Sequence, residues 1–105
     1  MGETDPDVQR MLAFSAGDTS AFDGLFRRWA EPLLHYLERM VGDTGTAEEL
    51  LQDTFLRVHR ARERYQPRAR FSTWLYRIAT NLALNELKRP RRGGAPPSIR
   101  RIIGP

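Results

Sequence analysis

The sequence contains no cysteine, which excludes disulfides and every metal site built on thiolates. No apolar run is long enough to cross a bilayer, and the polar, acidic stretch from Met1 to Asp7 does not read as a secretory leader. A cytoplasmic protein is expected. No segment alternates apolar and polar residues as a strand would, and no repeat recurs along the chain. A glycine-rich phosphate loop, a nucleophile motif and zinc spacing are all missing. The two histidines, His35 and His59, fall on different predicted helices, and neither has a metal partner three or four positions away. Glu48, Glu49 and Asp53 cluster, but carboxylates at a helix start are explained by the macrodipole. Catalysis, a cofactor and a resident metal are therefore not expected.

What is present fits one soluble helical domain in 105 residues, 40% hydrophobic and 29% charged. The net charge of +4 conceals a division along the chain. Residues 1–53 hold eleven acidic and four basic side chains, a balance of −7. Residues 54–105 hold two acidic and thirteen basic ones, a balance of +11. Such asymmetry suggests two surfaces of opposite sign, the basic one suited to a polyanion. The plainer reading is a solvated charge distribution without a partner. Lys88 is the only lysine, and guanidinium groups are preferred where phosphate is gripped in a bidentate manner.

Four helices account for most of the sequence. The first spans 6–16, with Val8, Met11 and Leu12 at helical spacing, and is stopped by Gly17-Asp18. The second opens at Ser20, with Asp23 completing a weak capping box. Its stripe of Phe22, Leu25, Phe26, Trp29, Leu33, Tyr36, Leu37 and Met40 keeps phase across Pro32, which predicts one helix kinked near Arg28 and Trp29. Gly42 to Gly45 reads as a loop. Thr46 with Glu49 forms a second capping box and starts a third helix over 47–62, ended before Pro67. Ser72 is placed as the cap of a fourth helix over 73–89, closed by Pro90. The expected fold is all-α, a compact bundle of about four helices with the third and fourth packed as a hairpin. The helical domain is expected over 1–89, and 90–105 reads as a basic Gly/Pro-rich linker or tail.

Two faces attract attention. On the third helix Ala47, Leu50, Leu51, Thr54, Val58 and Ala61 form the inward stripe. Glu49, Gln52, Asp53, Leu56 and Arg60 fall on the other side, and Leu56 is either a contact residue or a stray leucine on a solvated face. On the fourth helix Leu75, Ile78, Ala79 and Leu82 point inward, whereas Trp74, Arg77, Asn81, Asn85 and Lys88 share another face. Aromatic, amide and cationic groups stack on bases, bond their edges and neutralise phosphate. Arg62, Arg64, Arg68 and Arg70 precede this face, with Tyr65 and Phe71 between them. Aromatics interleaved with arginines suit single-stranded nucleic acid. Equally, one or two of Phe71, Trp74 and Tyr76 are expected to be core.

The run Ala47-Glu48-Glu49-Leu50-Leu51-Gln52-Asp53-Thr54-Phe55-Leu56-Arg57-Val58, followed by Arg70-Phe71-Ser72-Thr73-Trp74-Leu75-Tyr76-Arg77-Ile78-Ala79-Thr80-Asn81, resembles region 2 of extracytoplasmic-function (ECF) sigma factors of bacterial RNA polymerase. The stretch from Gly17-Asp18 to Tyr36 resembles the start of the same domain, so the likeness covers about 7–89. It implies a domain that binds core polymerase and recognises the promoter −10 element as melted non-template strand. The third helix would dock on the clamp helices of the largest polymerase subunit through Glu49, Gln52, Asp53, Leu56 and His59. The loop and fourth helix would contact DNA through Arg70, Phe71, Ser72, Thr73, Trp74, Tyr76, Arg77, Asn81 and Asn85. Arg64, Arg68 and Lys88 join that set as neighbouring cations. An anti-sigma factor is a further implied partner. Family members carry a second, helix-turn-helix domain that reads the −35 element; this chain stops where the linker would begin, as a one-domain piece or a natural truncation. Two other readings stay open: a helical protein–protein module, and a general single-strand-binding domain.

Overall fold

The computed structural model describes residues 5–89; the predicted tail over 90–105 lies outside them. The chain forms α1 (Pro6–Ser15), α2 (Thr19–Val41), α3 (Thr44–Arg60), a single 3-10 turn (Ala61–Glu63) and α4 (Phe71–Lys88). No strand occurs among the described residues. Helix α2 is the central element, packed against α1, α3 and α4, and α3 also packs on α4.

The two tightest corners are built the same way, from a glycine followed by an aspartate. Gly17 has φ +112° and Gly42 has φ +76°, a region that costs glycine little because it has no Cβ. After α1, the Asp18 amide donates to the Ala13 carbonyl and the Gly17 amide to that of Phe14, the pattern of a Schellman stop. The aspartates then start the next helix. Asp18 caps α2 by accepting the Ser20 amide at 3.1 Å, and Asp43 caps α3 by accepting the Thr46 amide at 2.8 Å. Ser20 and Thr46 are thus not the caps that the sequence suggests. Each lies inside its helix and donates its hydroxyl to the aspartate that is. A carboxylate can accept both the amide and the hydroxyl.

Helix α2 runs without a break through Pro32. The core comprises Val8, Met11 and Phe14 of α1, Leu25, Leu33, Leu37 and Val41 of α2, Ala47, Leu50, Phe55 and Val58 of α3, and Phe71, Leu75, Ala79 and Ala83 of α4. Thr54 is buried among them, and its hydroxyl is satisfied by the Leu50 carbonyl at 2.7 Å. Several predicted core positions sit at the rim instead. Leu12 and Phe26 are exposed, whereas Phe14, Phe55 and Ala83 take buried places that the stripes had not included. Phe26 nevertheless lies 4.9 Å from Phe55, at the end of an aromatic row running through Phe22 to Phe14.

Among the described residues one charged side chain is buried. Asp7, 4% exposed, accepts hydrogen bonds from Arg10 at 2.8 Å, Arg28 Nε at 2.9 Å and the Trp29 indole at 3.1 Å. It fastens α1 to the middle of α2. The Arg28 guanidinium then lies 5.3 Å from the Trp29 ring centroid.

Candidate polymerase and nucleic-acid interfaces

Helix α3 carries the charge division of the whole sequence along its own length. Glu48, Glu49, Gln52 and Asp53 stand exposed on its first half, and Arg57 and Arg60 on its second. The basic groups of the last turn complement the macrodipole, whereas the acidic ones begin only in the second turn. Leu56 lies on the exposed side between them, half of its surface open to solvent. Of the five predicted polymerase contacts, Glu49, Gln52, Asp53 and Leu56 share this face. His59, seven positions after Gln52, is also exposed and continues the face along the Gln52 side. Its imidazole edge meets the rings of Phe14 and Phe22 at 5.2 and 5.4 Å, and its Nδ1 lies 3.1 Å from Arg62.

The basic end of α3 leads into the loop that joins it to α4. Here a cleft of about 450 Å³ is lined by Ala61, Arg64, Tyr65, Gln66, Arg68, Ala69, Trp74 and Arg77. One wall is aromatic: Tyr65 and Trp74 meet edge to face with centroids 4.8 Å apart. The other groups are amide and guanidinium. Burial, and next the charge of Asp5, push the Tyr65 phenol above its ordinary range. The phenol therefore stays neutral at physiological pH. Its buried oxygen has no hydrogen-bond partner among the described residues. From Trp74 and Arg77 the face continues along α4 through Asn81, Asn85 and Lys88, all exposed.

A second cleft, of about 630 Å³, lies among Asp5, Asp7, Arg28, Trp29, Pro67, Arg70 and Ser72. Arg68 and Ala69 line both clefts and so form the ridge between them. Arg68 is steadied by donating to the Gln66 side chain at 2.7 Å.

The predicted DNA contacts divide accordingly. Arg64, Arg68, Trp74 and Arg77 line the first cleft, and Arg70 and Ser72 the second. Thr73, Asn81, Asn85 and Lys88 are exposed on α4. Two assignments need correction. Phe71 is fully buried in the core and has no surface to offer a base. Tyr76 faces α2, with its ring 6.0 Å from Trp29 and 5.0 Å from Tyr36. Two residues along a helix turn a side chain by about 200°, which carries Tyr76 away from the Trp74 side. Ser72 is likewise not the cap of α4. The helix starts one residue earlier, at Phe71, and its first amide is capped by Asp5, 3.0 Å away.

Ala61, Gln66 and Ala69 of the first cleft, and Arg28 and Trp29 of the second, escaped the sequence reading. Small and amide residues in an irregular loop give no periodic signal. Asp5 did leave one, because Asp-Pro ahead of an apolar stripe is a helix-start signature. No group of His, Asp or Glu side chains among the described residues is arranged to hold a metal ion, and none of their helices is long and apolar enough to cross a membrane.

The family model described as Sigma-70 region 2 matches residues 25–93. The chain belongs to the sigma-70 region 2 family. This region 2 chain is 46% identical over 81 residues to the RNA polymerase sigma factor CarQ of Myxococcus xanthus, covering 77% of the chain and 47% of the relative. It is 36% identical over 91 residues to the RNA polymerase sigma-H factor of Pseudomonas aeruginosa, covering 87% and 46%. With the ECF RNA polymerase sigma factor SigM of Mycobacterium tuberculosis it shares 40% identity over 86 residues, covering 81% and 43%. The region 2 chain thus spans less than half the length of these relatives. No solved structure matches it. The all-α bundle agrees with the family, and the ECF resemblance drawn from the two sequence blocks is upheld by these relatives.

Proposed function

We propose that this region 2 domain bridges core RNA polymerase and the melted −10 element of a promoter during transcription initiation. The exposed start of α3, with Glu49, Gln52, Asp53 and Leu56, docks on the clamp helices of the largest polymerase subunit. The cleft beside its basic end takes an unpaired base of the non-template strand between the Tyr65–Trp74 wall and Arg77. Arg64, Arg68, Arg70 and Lys88 neutralise phosphates, and Asn81 and Asn85 bond base edges farther along α4.

The observation that carries this reading is the first cleft. It has an aromatic wall for stacking and guanidinium groups at its rim, and it lies beside the basic end of α3. Stacking a base on such a wall contributes about 1–3 kcal/mol, and the contact exists only when the strands are apart. Binding therefore favours the open promoter by itself, and the role needs no chemical step. An anti-sigma factor fits as a second partner; Leu84 and Leu87, both exposed near the end of α4, give a protein partner apolar surface.

The test is a binding panel using the full chain against bacterial core polymerase, short single-stranded DNA, the same DNA as duplex, and unrelated RNA. The proposal expects polymerase binding together with a preference for single-stranded over duplex DNA. Equal affinity for all nucleic acids would favour a general basic surface. Polymerase binding without any nucleic-acid binding would favour a pure protein–protein module.

A further inference from the structure

Helix α4 begins without a cap from its own neighbourhood. Arg70 occupies the cap position and makes no side-chain hydrogen bond there. The acceptor comes from the other end of the chain: Asp5 Oδ2 accepts the Phe71 amide at 3.0 Å across 66 positions of sequence. The same carboxylate also serves α1, where Oδ1 accepts the Asp7 amide at 2.9 Å. One side chain thus caps two helices that are remote in sequence. It also lines the second cleft beside Arg70 and Ser72.

We propose that Asp5 is a positioning residue for the base-capturing cleft, fixing the first turn of α4 and with it the loop ridge and Trp74. This role rests on the function proposed above. Phe71 is anchored on one side by the core and on the other by Asp5. The following turn is tied directly to it, since the Trp74 amide donates to the Arg70 carbonyl at 3.1 Å. The Trp74 ring lies 5.7 Å from that of Phe71 and 4.8 Å from that of Tyr65. A shift of Phe71 is therefore transmitted to the aromatic wall and to the Arg68–Ala69 ridge. The charge of Asp5 reaches the cleft as well, being one of the two causes that raise the Tyr65 phenol. Asp5 precedes residues 25–93, over which the family is matched, so this anchor is supplied from outside that segment.

Asp5→Ser separates the two caps. Serine is a good N-cap for α1, but its short side chain does not span to Phe71 while serving Asp7. The experiment compares wild type, Asp5→Ser and Asp5→Ala by amide hydrogen exchange, by binding of a short fluorescent single-stranded DNA of mixed sequence, and by binding to core polymerase. Asp5→Ser is expected to keep its fold and its polymerase affinity while the Phe71 amide exchanges faster. Its DNA affinity should fall about five-fold, as for the loss of one cap. Asp5→Ala should lose at least as much; should it not fold, Asp5→Ser alone decides. Wild-type DNA affinity in Asp5→Ser, an unchanged exchange rate at Phe71, or an equal loss of polymerase binding would each overturn the proposal. If the wild-type chain binds no single-stranded DNA, it is the proposed function of the cleft that fails, while exchange at Phe71 still reports the link itself.

Discussion

The carboxylate of Asp7, 4% exposed, accepts the indole N–H of Trp29 at 3.1 Å, joining the first helix to the centre of the second. The two arginines on the same carboxylate are about half exposed, at 45% and 59%, so water replaces much of what they contribute. The indole is less exposed than either guanidinium group, being half-buried. Asp7→Ala should therefore destabilise the domain by about 2 kcal/mol, the scale of one buried donor left unpaired. That is roughly a 10 °C fall in thermal midpoint for a domain of this size. Asp7→Asn keeps one oxygen for the indole and should lose less. Thermal unfolding followed by circular dichroism checks both; equal stability of wild type and Asp7→Ala contradicts the anchoring role.

Phe71 and Trp74 stand three positions apart and should fail in different ways. Phe71 is completely buried, so Phe71→Ala should cost about 3–5 kcal/mol of stability, as for other large core truncations. Trp74 is half-buried at the cleft wall, and Trp74→Ala should leave a folded domain. Its affinity for single-stranded DNA should fall between about five-fold and a hundred-fold, the worth of one stacked base. Denaturant unfolding and fluorescence anisotropy separate the two effects.

The fold was legible in the sequence to the extent that helical periodicity carries it. Leu25, Leu33 and Leu37 or Leu75 and Ala79 recur at the right spacing, and no other secondary structure competes with them. The caps were misplaced for a consistent reason: serine or threonine followed by an acidic residue looks like a capping box, yet at both corners the aspartate just after glycine does the work. The start of α4 was beyond local reading altogether, because its cap lies 66 residues upstream. For the site, the exposed faces of α3 and α4 followed from spacing, since polar residues opposite a core stripe must face water. Phe71 and Tyr76 did not, because an aromatic near a basic loop has the same appearance in sequence whether it stacks on a ligand or on the core. The cleft itself belongs to an irregular loop, whose shape no period announces.

Acid should weaken the domain partly through Asp5 and Asp18. For Asp5, burial works against the charged form, but the amides of Phe71, Asp7 and Val8, together with the Arg70 charge, outweigh it and lower the pKa. Asp18 is lowered chiefly by the Ser20 hydroxyl. A folded pKa below the unfolded value of 3.8 means that the stabilisation is complete above about pH 5 and disappears as pH falls through the folded value. Asp5→Asn should therefore flatten the acid limb of stability against pH. An acid limb as steep as that of wild type would contradict this assignment.

Salt should weaken DNA binding in proportion to the phosphates engaged. If three to five of the exposed cations meet phosphate, log affinity should fall against log salt with a slope of about −2 to −3.5, since each contact on a single strand contributes roughly −0.7. Changing Arg64 and Arg70 together to alanine should make that slope shallower by about 1.4. A slope that does not change would place the phosphates elsewhere.

The central claim is that polymerase and exposed bases are held by separate, neighbouring surfaces. The most direct measurement is a two-by-two comparison, with Asp53→Arg and Trp74→Ala each titrated against core polymerase and against single-stranded DNA. Asp53→Arg should lose polymerase and keep DNA, and Trp74→Ala should do the reverse. Polymerase binding by Asp53→Arg equal to wild type, or loss of both ligands by both folded variants, would contradict the account.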